Sequence, residues 1–210
     1  MRLTDAQRAA LELLASRLQP DTYLAGGTVV ALRVGHRVSH DLDLFTLHDP
    51  EALAEPLAQV SGVQVTTRAP GTLYLEVKGV PVSVIRYRYP LLAALEQDEC
   101  SPVPLVSVRD LICMKLSAIA ARGARRDFWD LHVMLQGSAL ELKEALGWYR
   151  EKFAQQDIGY VVRSLTYFAE AEAEPMPSEL DEAGWRDVKG DLRAWVKALY
   201  PELLAELHVG

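Results

Sequence analysis

Two aspartates flanking one leucine, Asp41-Leu42-Asp43, are the residues of this chain best placed to do chemistry. On a strand, side chains two residues apart leave the same face, so both carboxylates look into the same space. Such a pair repels itself and invites a divalent cation. Hard Mg2+ takes oxygen ligands and usually bridges one or two carboxylates to substrate phosphates. Ahead of it, separated by thirteen residues, stands a glycine pair, Gly26-Gly27. Glycine permits the close backbone approach a polyphosphate needs, and Thr28 is placed to cap a helix whose positive end faces the same spot. Arg37, in the basic stretch between the two motifs, can assist with phosphate.

A second set lies further along. Lys115, Ile119 and Arg122 fall at i, i+4 and i+7 of one helix, so both cations share a face. Asp127 and Asp130, at i and i+3, share a face of the next helix. A lysine near a triphosphate neutralises charge on transferring oxygens, and an aspartate orients that lysine or accepts a proton from an attacking hydroxyl. Asp130 reads as a structural partner for Arg126 or Arg122. This is equipment for phosphoryl or nucleotidyl transfer.

The elements that must position these residues follow from periodicity and breakers. Thr4 caps a helix over residues 4–18, and residues 23–25 form a short strand. The glycine pair then leads into a helix over 28–34 that Gly35 closes, followed by a strand over 41–46. Pro50 opens a helix running to Gly62, and residues 63–67, 72–77 and 80–87 read as strands joined at Pro70-Gly71 and Lys78-Gly79. After Pro104 the pattern is helical. Ser107 with Asp110 has the form of a capping box for a helix closed by Gly123, and helices follow over 125–136, 139–156, 159–171 and 185–199. The expectation is an α/β chain of the α+β type, with a mixed or antiparallel sheet and flanking helices in residues 1–105 and a helical domain in 106–210.

Composition narrows the classes. A net charge of −7 over 210 residues argues against a protein that coats nucleic acid by bulk electrostatics, though not against a local basic cleft. Cys100 and Cys113 are too few and too far apart for a disulfide framework or a CxxC site, and read as free thiols in a reducing compartment. The N-terminal stretch lacks the apolar core of a signal peptide, and no stretch is apolar enough to span a bilayer. A soluble, cytoplasmic protein is expected. His36 and His40 have no HExxH setting and His48, His132 and His208 no partners in sequence that suggest a site, while the four tryptophans fall at core spacing. Tyr87-Arg88-Tyr89 fits a base-stacking edge and a strand end about equally.

Taken in order, Gly26-Gly27 followed by Asp41-Leu42-Asp43-Leu44 resembles the signature of the nucleotidyltransferase superfamily. Lys115-Leu116-Ser117-Ala118-Ile119, then Arg122 and Arg126-Asp127-Phe128-Trp129-Asp130-Leu131, resembles the second half of its AbiEii/AbiGii toxin branch. The resemblance runs from about Leu24 to Leu135. It implies a nucleotidyltransferase-like mixed sheet and a two-metal transfer of an NMP group from an NTP to a hydroxyl, with pyrophosphate released. On this resemblance Gly26, Gly27 and Thr28 cradle phosphates with Arg37, Lys115 and Arg122. Asp41 and Asp43 hold Mg2+ or Mn2+, and Asp127 completes the catalytic set with Lys115. The acceptor in related toxins can be the 3′ end of tRNA, a protein acceptor is equally open, and a cognate antitoxin is expected. The chain departs from the superfamily at the third acid: the aligned strand, residues 81–85, offers only Ser83. Glu76 one strand earlier takes that metal-binding role, or Asp127 does, or the protein is a weak or inactive nucleotide-binding module with a regulatory or partner-binding role. A metal-dependent phosphohydrolase would use the same aspartates on water.

Overall fold

The computed structural model describes residues 2–138 and 140–207, with side chains described up to Leu199. Ala139 and His208 lie outside the described residues. The chain divides into two compact units, Met1–Leu111 and Ile112–Gly210.

The first unit is built on a five-stranded mixed sheet in the order β1-β2-β5-β4-β3. Its strands are β1 (Tyr23–Ala25), β2 (Leu42–Thr46), β3 (Val63–Ala69), β4 (Thr72–Val77) and β5 (Val80–Arg86). β2 and β5 run parallel, and every other pairing is antiparallel. The three strands read from alternation in the middle of the unit are all present. Lys78 at φ 51° and Gly79 at φ 80° make the tight turn between β4 and β5.

Register decides which side chains reach the core. Leu24, Leu44, Val84 and Leu73 form one cross-strand row, each 1% exposed or less, with Leu42, Val82 and Leu75 in the next row. Burying each such side chain is worth about 1.5–3 kcal/mol. A slip of one residue in β2 would expose Leu42 and Leu44 and drive Asp43 into that apolar layer, so core packing fixes where the acids point.

Helices cover this unit. In α1 (Asp5–Ala15) the Thr4 hydroxyl accepts from the Gln7 amide at 3.2 Å while Gln7 Oε1 accepts from the Thr4 amide at 3.1 Å, a complete capping box. α2 (Gly26–Val34) packs on β1 and β2 and is closed by Gly35 at φ 73°. The expected single helix from Pro50 to Gly62 is instead a 3-10 turn (Pro50–Leu53) followed by α3 (Ala54–Ala58). Pro56 is the reason: without an N–H it fits only the first turn of a helix, so a new helix must begin just before it.

The second unit is helical. α4 (Val108–Arg122) carries the division between the units, and its Ser107–Asp110 cap forms as expected, the Asp110 amide donating to Ser107 Oγ at 3.1 Å. There follow α5 (Arg125–Ser138), α6 (Leu142–Phe153), α7 (Gly159–Ser164), α8 (Ala169–Ala173) and α9 (Glu182–Leu207). The segment expected as one helix over 159–171 is split into α7 and α8. Ser164 Oγ donates to the Tyr160 carbonyl at 2.8 Å and Thr166 Oγ1 to the Arg163 carbonyl at 3.1 Å, side-chain bonds that compete with the helical ladder. The turn drives Phe168 inward against Phe128 and Trp185, at ring separations of 5.0 and 5.8 Å. Trp129 and Trp185 are buried as expected of core residues, whereas Trp148 and Trp195 are half-buried. Both cysteines are free, and no described helix is long and apolar enough to cross a membrane.

Candidate active site

The glycine pair is the first turn of α2 rather than its approach. Gly26 adopts φ +69°, the left-handed conformation that favours glycine, and Ala25 occupies the cap position with no side-chain cap. The expected capping role of Thr28 is therefore not the one it plays. It lies inside the helix, and its hydroxyl donates to the Asp41 carbonyl at 2.5 Å. That bond ties α2 to the start of β2. The first-turn amides of α2 consequently have no side-chain cap, the condition under which a helix N-terminus takes an anion.

What stands over the glycines is specific. A Cβ on Gly26 would overlap the Asp43 carboxylate, and a Cβ on Gly27 would overlap the Arg37 guanidinium. Arg37, whose direction the sequence left open, thus turns back across the glycine pair and is only 9% exposed. A buried cation over the positive end of a helix is favourable only with negative charge close by, as a bound phosphate would supply.

The acids are held as well as placed. Asp43 lies opposite Ala25 on β1 and Ser83 on β5, and Ser83 Oγ donates to Asp43 Oδ1 at 2.6 Å. Asp41 stands just before β2, where Ser39 Oγ donates to its Oδ1 at 3.0 Å. Gln7 of α1 in turn donates to the Ser39 carbonyl at 2.8 Å. Ser39 was missed by sequence reasoning, although its place two residues before Asp41 was the available signal. Among the described residues there is no group of three or more His, Cys, Asp or Glu side chains able to hold a metal ion. Two carboxylates beside an uncapped helix start still fit Mg2+, which ordinarily completes its shell from substrate phosphates and water.

Glu76 is not brought to this pair. It lies on the same sheet face but is exposed and opposite Pro81, two strands away from Asp43 and two residues along. At about 4.8 Å per strand and 3.4 Å per residue that is a separation of about 12 Å, beyond what one ion bridges.

In the second unit Lys115, Arg122, Asp127 and Asp130 form one cluster. Lys115 Nζ lies 2.8 Å from Asp127 Oδ1 and 2.6 Å from Asp130 Oδ2, and all three residues are buried. Arg122 grips Asp127 twice, Nε to Oδ2 at 2.7 Å and Nη2 to Oδ1 at 3.0 Å, with its side chain 54% exposed. Asp130 is thus ion-paired with Lys115, a partner the sequence did not single out for it. The burial of Asp127 pushes its carboxyl up, but the charge of Lys115 and the bonds and charge of Arg122 outweigh this and hold it below the ordinary aspartate range. Lys115 is therefore the buried centre of the cluster and Arg122 its solvent-facing cation.

His48 lies 3.6 Å from Asp21, and His132 bonds Asp191 at 2.9 Å while stacking on Trp195. Tyr87 packs edge-on against Phe45 at 5.4 Å and against Tyr89 at 5.3 Å.

A mixed sheet carrying an acid-apolar-acid strand beside a glycine-started helix is a nucleotidyltransferase-like fold. The chain belongs to the AbiEii family, described as the nucleotidyl transferase AbiEii toxin of type IV toxin-antitoxin systems, whose model matches residues 9–201. It is a nucleotidyltransferase by that membership. An uncharacterized protein of Aquifex aeolicus is 34% identical over 199 residues, covering 90% of this chain and 97% of the relative. Among solved structures, MenT4, a nucleotidyltransferase toxin of Mycobacterium tuberculosis, matches with a TM-score of 0.61 at 19% identity, over 91% of this chain and 82% of that one. JHP933 of Helicobacter pylori matches with a TM-score of 0.53 at 16% identity, over 96% and 92%. At these identities the two structures show a shared fold.

Proposed function

We propose that the protein transfers an NMP group from an NTP to a hydroxyl acceptor with release of pyrophosphate, in a Mg2+- or Mn2+-dependent reaction. The observation that carries this reading is the Asp43 carboxylate lying against Gly26 at the uncapped start of α2, with Arg37 across Gly27. The amides of Gly26, Gly27 and Thr28 and the Arg37 guanidinium take the phosphates. Asp41 and Asp43 hold the divalent cation, which when bound neutralises charge on the transferring phosphate. Ser39 and Ser83 keep the two carboxylates in place.

We assign the Lys115 cluster to the same reaction through family membership. Lys115 is engaged by two carboxylates, Arg122 is the exposed cation of the cluster and can take a phosphate oxygen, and Asp127 sets its direction. Asp127, with Lys115 and Arg122 both bonded to its carboxylate, completes the set by holding those two cations in place. The acceptor is RNA, the tRNA 3′ end foremost, or a protein, the expected partner is a cognate antitoxin, and the setting is cytoplasmic. The family description, a toxin of type IV toxin-antitoxin systems, supports the antitoxin and the toxin role.

The test uses the same NTP labelled separately at the α and γ phosphates, with Mg2+ and total cellular RNA or protein. The reading expects α-label on a macromolecule and γ-label in pyrophosphate. Free phosphate or mononucleotide with no labelled acceptor would make the protein a phosphohydrolase instead.

A further inference from the structure

The β5 position opposite Asp43 is where a third acid would stand, and the register puts Ser83 there. Ser83 is half-buried between Val82 and Val84, both of which face the opposite, apolar side of the sheet. Its hydroxyl donates to Asp43 Oδ1 at 2.6 Å. That is the length of a charge-assisted bond from a hydroxyl to a carboxylate. The other Asp43 oxygen, Oδ2, faces Gly26, where any side chain would strike it. One oxygen is therefore held by the serine and the other is directed at the glycine pair. An aspartate side chain free to rotate about two bonds is reduced to a single orientation by groups on two different elements, β5 and α2.

We propose that Ser83 is a positioning residue for the transfer reaction: in place of a third carboxylate it supplies a hydroxyl clamp that holds Asp43 Oδ1 and so fixes the direction of the carboxylate that would hold the cation. This rests on the assignment of Asp43 to the cation. The clamp accounts for two features together, the missing acid on β5 and the absence of a three-acid cluster among the described residues. A carboxylate at position 83 would place two negative charges within hydrogen-bond reach of each other. The hydroxyl removes that repulsion and donates to Asp43 instead.

Partners that orient a metal-binding carboxylate typically cost 10–100-fold in metal affinity or activity when removed. The experiment compares wild type with Ser83→Ala, Ser83→Thr and Ser83→Asp. Free Mn2+ is followed by electron paramagnetic resonance in the presence of a non-reactive NTP analogue, and kcat and KM in the transfer assay. Ser83→Ala is expected to weaken Mn2+ binding and to lower kcat, each by about tenfold, with KM for the NTP unchanged. Ser83→Thr, which keeps the hydroxyl, restores both. Ser83→Ala curves that superimpose on wild type in both readouts would overturn the clamp, as would Ser83→Asp transferring faster than wild type. Wild type that binds no Mn2+ overturns it too. Mn2+ binding that depends on Ser83 in a protein that transfers nothing would uphold the clamp and sink the transferase reading.

Discussion

Lys115→Met is the perturbation whose consequence the structure specifies most closely. The ammonium lies 2.8 Å from Asp127 and 2.6 Å from Asp130, both carboxylates fully buried and the lysine 5% exposed. Methionine preserves length and volume but removes the charge. Asp127 keeps two bonds from Arg122, whereas Asp130 loses its 2.6 Å ion pair. Removing one partner of a buried pair destabilises by about 3–5 kcal/mol. For a chain of this size each kcal/mol moves Tm by about 2–4 °C, so the variant should melt at least about 6 °C below wild type. Adding Asp130→Asn to Lys115→Met should recover part of the loss, because the carboxylate left behind is its source.

The same cluster sets an acid dependence. Asp127 is held below its unfolded value, which is near 3.9 for an ordinary aspartate, so it stabilises the fold above that pH. The contribution fades as pH falls through the folded value. Melting curves of wild type taken from pH 6 down to pH 3 should show this loss, and Asp127→Asn should flatten it. Lys115→Met melting within about 3 °C of wild type, a loss of no more than about 1 kcal/mol, would refute the view of Lys115 as the centre of a buried ion-pair cluster.

Further outcomes follow from the first unit. Gly26→Ala forces a side chain into φ +69° and onto the Asp43 carboxylate. It should cost about 1–2 kcal/mol in a thermal melt from the backbone alone, with transfer lost beyond what the melt explains; a normal melt with normal transfer would be wrong for this site. Arg37→Gln should raise the NTP KM about tenfold, since a charged hydrogen bond is worth about 1.5–3 kcal/mol, with some loss of melting temperature because the residue is buried, and an unchanged KM would remove Arg37 from the phosphate site. Glu76→Gln should leave the Mg2+ dependence of transfer untouched, and a raised Mg2+ requirement would mean the 12 Å estimate misplaces it.

The sheet was legible because its strands alternate cleanly. Residues 72–77 and 80–87 each put apolar side chains on every second position, and those positions are the buried row. The acid pair and the glycine pair were legible in part: Asp43 falls on the strand its spacing implies, while Asp41 stands just before β2 and the glycines open α2 instead of leading into it. What was not legible depends on long-range pairing. Thr28 was read as a cap because threonine before an apolar run usually is one, but its hydroxyl is drawn to the Asp41 carbonyl thirteen residues on. Glu76 looked close to the third-acid position in sequence, and only the β4–β5 register shows it opposite Pro81. Lys115 was not foreseen as a partner of Asp130, because charge pattern names neighbours along a helix and Lys115 reaches it from α4. The split between α7 and α8 rests on Ser164 and Thr166 bonding back to the chain, a competition that helical periodicity does not register.

The central claim is that Asp41 and Asp43, placed beside the Gly26-Gly27 helix start, carry the transfer. Its most direct test is α-labelled NTP incubated with Mg2+ and the acceptor pool, comparing wild type with Asp41→Ala and Asp43→Ala, each checked by circular dichroism and melting. The account predicts label transfer by wild type, abolished in both variants while the fold and melting temperature are kept. Transfer by a folded Asp43→Ala protein at the wild-type rate would contradict it.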